Sequence, residues 1–173
     1  MANKNDSNIL QNLQKSKSTP INNIKILQSG ISNITHGDNF CVVNPVNLYG
    51  CKFGDNCFVG PFVEVQNEVT IGHNTRLQSH SFICSLTRIG NDCFIGHSVA
   101  FVNDLFKEGK PSKEQNKWLG ASVGNGVSIG SNATILPVKI CDNVVIGAGS
   151  VVTKDITTSG IYAGNPAKKL RDL

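Results

Sequence analysis

The chain has 173 residues, 39% of them hydrophobic, and a formal net charge of +4. That length suffices for one domain, and no apolar run has the form of a secretory leader or a membrane span. So mild a positive charge suits a protein that holds an anionic small molecule and argues against a nucleic-acid interface, which needs a clustered basic face.

Residues 1–23 are rich in Asn, Lys, Ser and Gln. They are expected to form a flexible tail, with at most a short helix around Ile9 to Leu13. From Ile24 the β-branched content rises, and CVVNPV and NLYGCK, Cys41 to Lys52, read as imperfect six-residue units of an opening coil. Terminal repeats are commonly irregular because they cap a stack.

From Phe53 to Phe106 the chain divides into hexads, FGDNCF through FVNDLF. The first place is always apolar: Phe53, Val59, Val65, Ile71, Leu77, Ile83, Ile89, Ile95 and Phe101. By chance this would arise on the order of once in a thousand trials. The fifth place is small at Cys57, Val63, Val69, Thr75, Ser81, Thr87, Cys93 and Val99, with Leu105 the large exception. A period of six matches neither a helical face nor a simple alternating strand. It fits a short strand and a bend, three times per coil, with first and fifth places inward and successive coils about 4.8 Å apart.

At Lys107 the period stops. Residues 107–122 are polar, carry Gly and Pro, and hold the single tryptophan, Trp118. They read as a loop pushed out of the coil, and long loops in compact repeats usually border a ligand or a partner. The period resumes with VGNGVS and IGSNAT. The next unit, ILPVK, is one residue short, so Val138 is expected to take the small inward place and Ile140, Ile146 and Val152 to continue the column. Beyond Thr153, the turn Gly164-Asn165-Pro166 leads into AKKLRDL, expected as a short capping helix. The expected organisation is therefore a tail over 1–23, a coil over 24–153 with its loop, and an extension with that helix over 154–173.

The six cysteines show no CxxC pair. Cys41, Cys51, Cys57 and Cys93 fall in inward places, where a small apolar group belongs, so neither disulfides nor a metal site is expected. A reducing cytoplasm is the natural compartment.

The repeat resembles that of the hexapeptide-repeat transferases. IGSNATILP, VIGAGSVVTKD and YAGNPAKKL are similar to the closing part of those members that use acetyl-CoA, and the resemblance runs from about Tyr49 to Arg171. It implies an all-β, left-handed parallel β-helix, although the usual right-handed preference of parallel crossovers points the other way. It also implies a homotrimer with acetyl-CoA in a groove between subunits and no metal. Gly130, Ser131, Gly147, Ala148 and Ser150 would let the pantetheine arm approach, with Thr153 and Lys154 beside them. Pro166, Lys168, Lys169 and Arg171 in the closing motif would meet the phosphates, which favour such cations.

A narrower resemblance lies in NLYGCKFGDNCFVGPFVEVQ, LQSHSFIC and IGHSVAFVNDLF. These are similar to the nucleotide-sugar members, which acetylate an amine on a deoxyhexose carried by UDP or dTDP. Gln78, His97, Asn103, Asp104 and Trp118 are the substrate-binding candidates that follow. The chemistry needs a neutral amine, so a base near neutral pH is sought. His80, in an outward fourth place, leads; His97, in a third place one coil later, should share its face; His36 and His73 are weaker. Asn103 and Asp104 could hold the amine or orient the imidazole, or simply cap the outgoing loop. A backbone N–H would stabilise the oxyanion. The rivals are O-acetylation of a sugar or small-molecule hydroxyl, a metal hydratase of the γ-carbonic anhydrase type, and a scaffold without activity.

Overall fold

The computed structural model describes Lys25 and residues 27–173, so the expected N-terminal tail lies outside the described residues. Very short strands form a three-sided parallel solenoid of about seven turns, with the left-handed β-helix fold. Face A stacks Ile31–Ser32, Asn47–Tyr49, Glu64–Val65, Phe82–Ile83, Ala100–Phe101, Thr134–Ile135 and Val151–Val152. Face B stacks Lys52–Phe53, Thr70–Ile71, Arg88–Ile89, Ser122–Val123 and Lys139–Ile140. Face C runs Cys41–Val42, Phe58–Val59, Arg76–Leu77, Phe94–Ile95, Ser128–Ile129, Val144–Ile146, Gly160–Gly164 and Ala167–Arg171.

The hexad frame accounts for the core. Every first-place side chain from Phe53 to Phe101 is buried, and so are Val123, Ile129, Ile135, Ile140, Ile146 and Val152 above the loop. Each such aliphatic contributes about 1.5–3 kcal/mol of hydrophobic stabilisation relative to exposure. The fifth-place groups close the corners: Cys57, Val63, Val69, Thr75, Ser81, Thr87, Cys93 and Val99 are all buried. Leu105 is 42% exposed because the chain has left the coil there. Fourth-place residues turn the corner with positive φ, Asn56, Phe62, Asn74, His80, Leu86 and Asp92 among them. Asparagine and aspartate tolerate that region; Phe62, His80 and Leu86 adopt it against the ordinary preference.

Coil length shows in the stacking. Asn56 and Asn74, 18 residues apart, join side chains, whereas Asn91 and Asn125 stack across the loop at a separation of 34. Two units are one residue short, Leu48 to Lys52 and Ile135 to Lys139, so Asn39 meets Asn56, and Asn125 meets Asp142, at a separation of 17. The second shortening is the expected one, and Val138 is buried. The first corrects the opening frame. Val42, not Cys41, pairs with Val59, and Cys41 is exposed. Cys51, Cys57 and Cys93 do fill the core, and no cysteine is disulfide-bonded.

The expected C-terminal helix is also corrected. Gly160–Gly164 extends face C on Val144–Ile146, and Ala167–Arg171 folds back antiparallel, with Tyr162 opposite Lys169 and Ala163 opposite Lys168. A helix this short has few internal hydrogen bonds to offset its nucleation cost. The last parallel strand meanwhile offers a row of unpaired amides and carbonyls. No helix among the described residues is long and apolar enough to cross a membrane.

Burial sets two stability expectations. Ser81 Oγ is buried without a hydrogen-bond partner among the described residues. Ser81→Ala is therefore expected to stabilise by about 1 kcal/mol, because an unsatisfied buried hydroxyl costs free energy; urea unfolding measures it. Burial raises the Cys51 thiol from 9.0 to about 11. The stability that its neutral form carries is intact below pH 9.0 and is lost as pH rises through about 11.

Candidate active site on the edges of face A

Each prism edge has its own side chains. The edge between faces B and C is an asparagine ladder, in which Asn39, Asn56, Asn74 and Asp92 bond in sequence, coil to coil. His73 belongs to this edge, its Nδ1 3.0 Å from Asp55 Oδ2. The other two edges bound face A, and most of the expected site falls on them.

The edge between faces C and A is a histidine edge. His80 (φ 63) turns the corner after Arg76–Leu77 and stacks on exposed Phe62, ring centroids 4.8 Å apart at 14°. His97 lies one coil above, its Nδ1 2.8 Å from Ser79 Oγ. Gln78 precedes this corner and accepts from the Ser81 amide. The expected coenzyme residues continue the same column. A side chain at Gly96 would strike the Ser131 amide at 2.7 Å, and one at Gly130 the Ala148 amide at 2.5 Å. Gly147 packs against Ala163, and Ser150 Oγ accepts from Gly164 N, so the closing hairpin sits on top of the column. His80, His97, Gly130, Ser131, Gly147 and Ala148 thus share one edge.

The cations are more dispersed. Thr153 and Lys154 follow Val151–Val152 and lie on the opposite edge of face A. Pro166 is in the hairpin turn; Lys168, Lys169 and Arg171 line its return strand. Lys169 Nζ is 2.7 Å from Asp172 Oδ1, and this contact raises the Lys169 pKa and lowers that of Asp172.

The third edge, between faces A and B, releases the loop. Asp104 caps it: Oδ1 accepts from Phe106 N at 2.9 Å and Oδ2 from Ser112 N at 2.6 Å. Leu119 N returns to Asn103 O at 2.9 Å, and Gly120 lies so close to the Leu86 carbonyl that a Cβ would overlap it. Trp118, within the loop, has its indole Nε1 buried and unpartnered among the described residues. A cleft of about 510 Å³ between loop and face is lined by Phe82, Val102, Leu105, Trp118, Thr134 and Leu136. A second, of about 290 Å³, is lined by Asn103, Asp104, Lys107, Glu108, Lys110 and Lys117.

Asn103 and Asp104 therefore do not meet His80 within one chain. About five residues of extended chain separate their edges, roughly 16 Å at about 3.3 Å per residue. Face A is also zoned: Asn47, Tyr49, Glu64 and Gln66 make its lower part polar, while Phe82, Val102 and Leu136 make its upper part apolar. That polar row was not singled out in the sequence, although its members occupy outward places of stacked units.

Tyr49 reports on the row. Burial, then Glu64, raise its pKa above 10.0, while a hydrogen bond from Gln66 lowers it. Glu64→Gln is expected to lower the Tyr49 titration midpoint, read as tyrosinate absorbance with pH. The protonated phenol's stabilising share is intact below 10.0 and lost as pH rises through the raised value.

Two family descriptions match the chain. "Bacterial transferase hexapeptide (six repeats)" covers residues 50–85, and "Hexapeptide repeat of succinyl-transferase" covers residues 120–154. The bifunctional protein GlmU of Acetivibrio thermocellus is 30% identical over 148 residues, 85% of this chain but 29% of that protein's length. A hexapeptide-repeat containing acetyltransferase of Vibrio cholerae, in complex with acetyl coenzyme A, is 25% identical with a TM-score of 0.58, over 80% of this chain and 70% of that one. AntD, an N-acyltransferase of Bacillus cereus in complex with dTDP and coenzyme A, shares the fold at 17% identity and a TM-score of 0.56, over 81% and 83%. Fold and edges define a left-handed parallel β-helix with a clefted loop. Residues 50–85 and 120–154 carry its hexapeptide repeats, which are of the bacterial transferase type.

Proposed function

We propose that the chain is an acetyl-CoA-dependent N-acetyltransferase acting on the amino group of a UDP- or dTDP-linked amino-deoxy sugar. The observation that carries the reading is the histidine edge, where small-residue steps at Gly130, Ser131, Gly147 and Ala148 stand directly above His97 and His80. The apolar upper zone of face A suits a pantetheine arm, and the polar lower zone suits a sugar. Lys154 and Lys168 are exposed cations available to phosphates.

In this reading the neutral amine attacks the thioester carbonyl. A C–N bond forms, the proton on nitrogen passes to His80, and the C–S bond breaks to release a thiolate that takes up a proton. Backbone N–H groups carry the oxyanion, and the modestly basic thiolate leaves with little acid assistance. Because the two edges are far apart in one chain, the loop edge of one subunit faces the histidine edge of the next in a homotrimer. Face B, with exposed Lys52, Arg88, Ser122 and Lys139, stays outside that contact; face C, with Phe58, Arg76 and Phe94, is better suited to it.

The test is thiol release from acetyl-CoA against a panel of UDP- and dTDP-linked 2-, 3- and 4-amino sugars, with hydroxyl analogues beside them. Release with one amino sugar and not with its hydroxyl analogue is expected. Release only with hydroxyls would establish the O-acetyl reading instead, and sedimentation tests the trimer.

A further inference from the structure

We infer that Glu64 is a positioning residue: through a one-way hydrogen-bond relay, Glu64–Gln66–Ser85–Asn103, it holds the Asn103 side chain with its carbonyl oxygen toward the acceptor amine. The inference rests on the proposed amine acetylation.

The relay climbs two coils, roughly 10 Å at the usual strand spacing. Asn103 Nδ2 donates to Ser85 Oγ at 3.2 Å, and Ser85 Oγ donates to Gln66 Oε1 at 3.4 Å. Gln66 Nε2 donates to Glu64 Oε1 at 3.1 Å, and Glu64 Oε2 accepts from Asn47 Nδ2 at 3.3 Å. Its direction is forced by two groups that have no choice of role. The Ser85 backbone N–H, which only donates, reaches the same Gln66 oxygen at 3.2 Å, so that atom is the amide oxygen and the NH2 group faces Glu64. The ionised Glu64 carboxylate only accepts, which fixes the same orientation from below. Ser85 spends its single proton on Gln66 and can only accept from above, so Asn103 must turn its NH2 group inward.

Ser85 is 3% exposed, so solvent does not compete at the middle link of the relay. Asn103 Oδ1 is left without a partner among the described residues, and Asn103 lines both clefts at the loop. An outward carbonyl accepts an N–H of the nucleophile and leaves the nitrogen lone pair free for the thioester. An outward NH2 would donate to that lone pair and oppose attack. Aligned hydrogen bonds also polarise one another, so the carboxylate at the foot of the relay strengthens the acceptor at its head.

The experiment pairs turnover with an amide readout that needs no substrate. In wild-type protein with 15N-labelled asparagine, the Asn103 side-chain NH2 is expected to exchange slowly by NMR. Glu64→Ala and Ser85→Ala should each speed that exchange and lower kcat on the amine acceptor about tenfold, with the KM for acetyl-CoA and the melting temperature little changed. Glu64→Gln, which keeps a carbonyl for Gln66, should recover most of the loss seen in Glu64→Ala. Unchanged exchange in Glu64→Ala overturns the relay. Faster exchange with undiminished kcat overturns the positioning role. Wild-type protein inactive on every amine sinks the proposed reaction and the positioning role with it, and slow Asn103 exchange would then leave only the relay standing.

Discussion

Phe101→Ala is expected to lower the unfolding free energy by about 4 kcal/mol, the usual cost of truncating a fully buried phenylalanine. Phe101 is 0% exposed and is the largest fully buried side chain of the core. It fills a first place on face A opposite Ile135 of the next coil, at the last strand before the loop departs. Few neighbours can collapse into the space, because each coil is held at fixed spacing by backbone bonds to the coils on either side. Urea denaturation measures the loss, and Trp118 fluorescence shows whether the loop loosens with it. A loss under about 1 kcal/mol would mean that the column does not carry the fold as argued.

His80→Ala is expected to cut kcat on the amine acceptor about a hundredfold, the low end of the usual contribution of a positioned base. Acetyl-CoA affinity should barely change. The ring stacks its face on Phe62, which leaves its nitrogen-bearing rim toward solvent and the neighbouring edge. If the imidazole works as a base, His80→Asn should be as slow as His80→Ala. Full activity in the asparagine variant would assign the rate to alignment alone.

The solenoid was legible because a six-residue period repeats along the chain and names the inward first places from Phe53 to Phe101 and again from Val123 to Val152, although Ala121, Ile156 and Tyr162 join the core outside it. The failures came where a local departure was invisible to the period. The missing residue between Leu48 and Lys52 shifts everything before it by one, so the regular frame puts Cys41 in the inward place that Val42 holds. AKKLR looked helical by composition, yet the open strand edge beside it decided its conformation. At the loop, the sequence leaves Asp104 free to serve the substrate or to cap the turn; the structure commits its two oxygens to loop amides. The relay was beyond reach for another reason: Gln66 and Ser85 are 19 residues apart and meet only once coil length is fixed.

The antiparallel return of Ala167–Arg171 bears on self-assembly. A solenoid is a ladder that any chain with the same rise could lengthen, end on end, into a fibril. Reversing the last strand breaks the direction that a further rung would copy, and the lysines and arginine along it repel an approaching copy. Removing that strand would leave a bare parallel rung, a template for growth in place of a finished molecule.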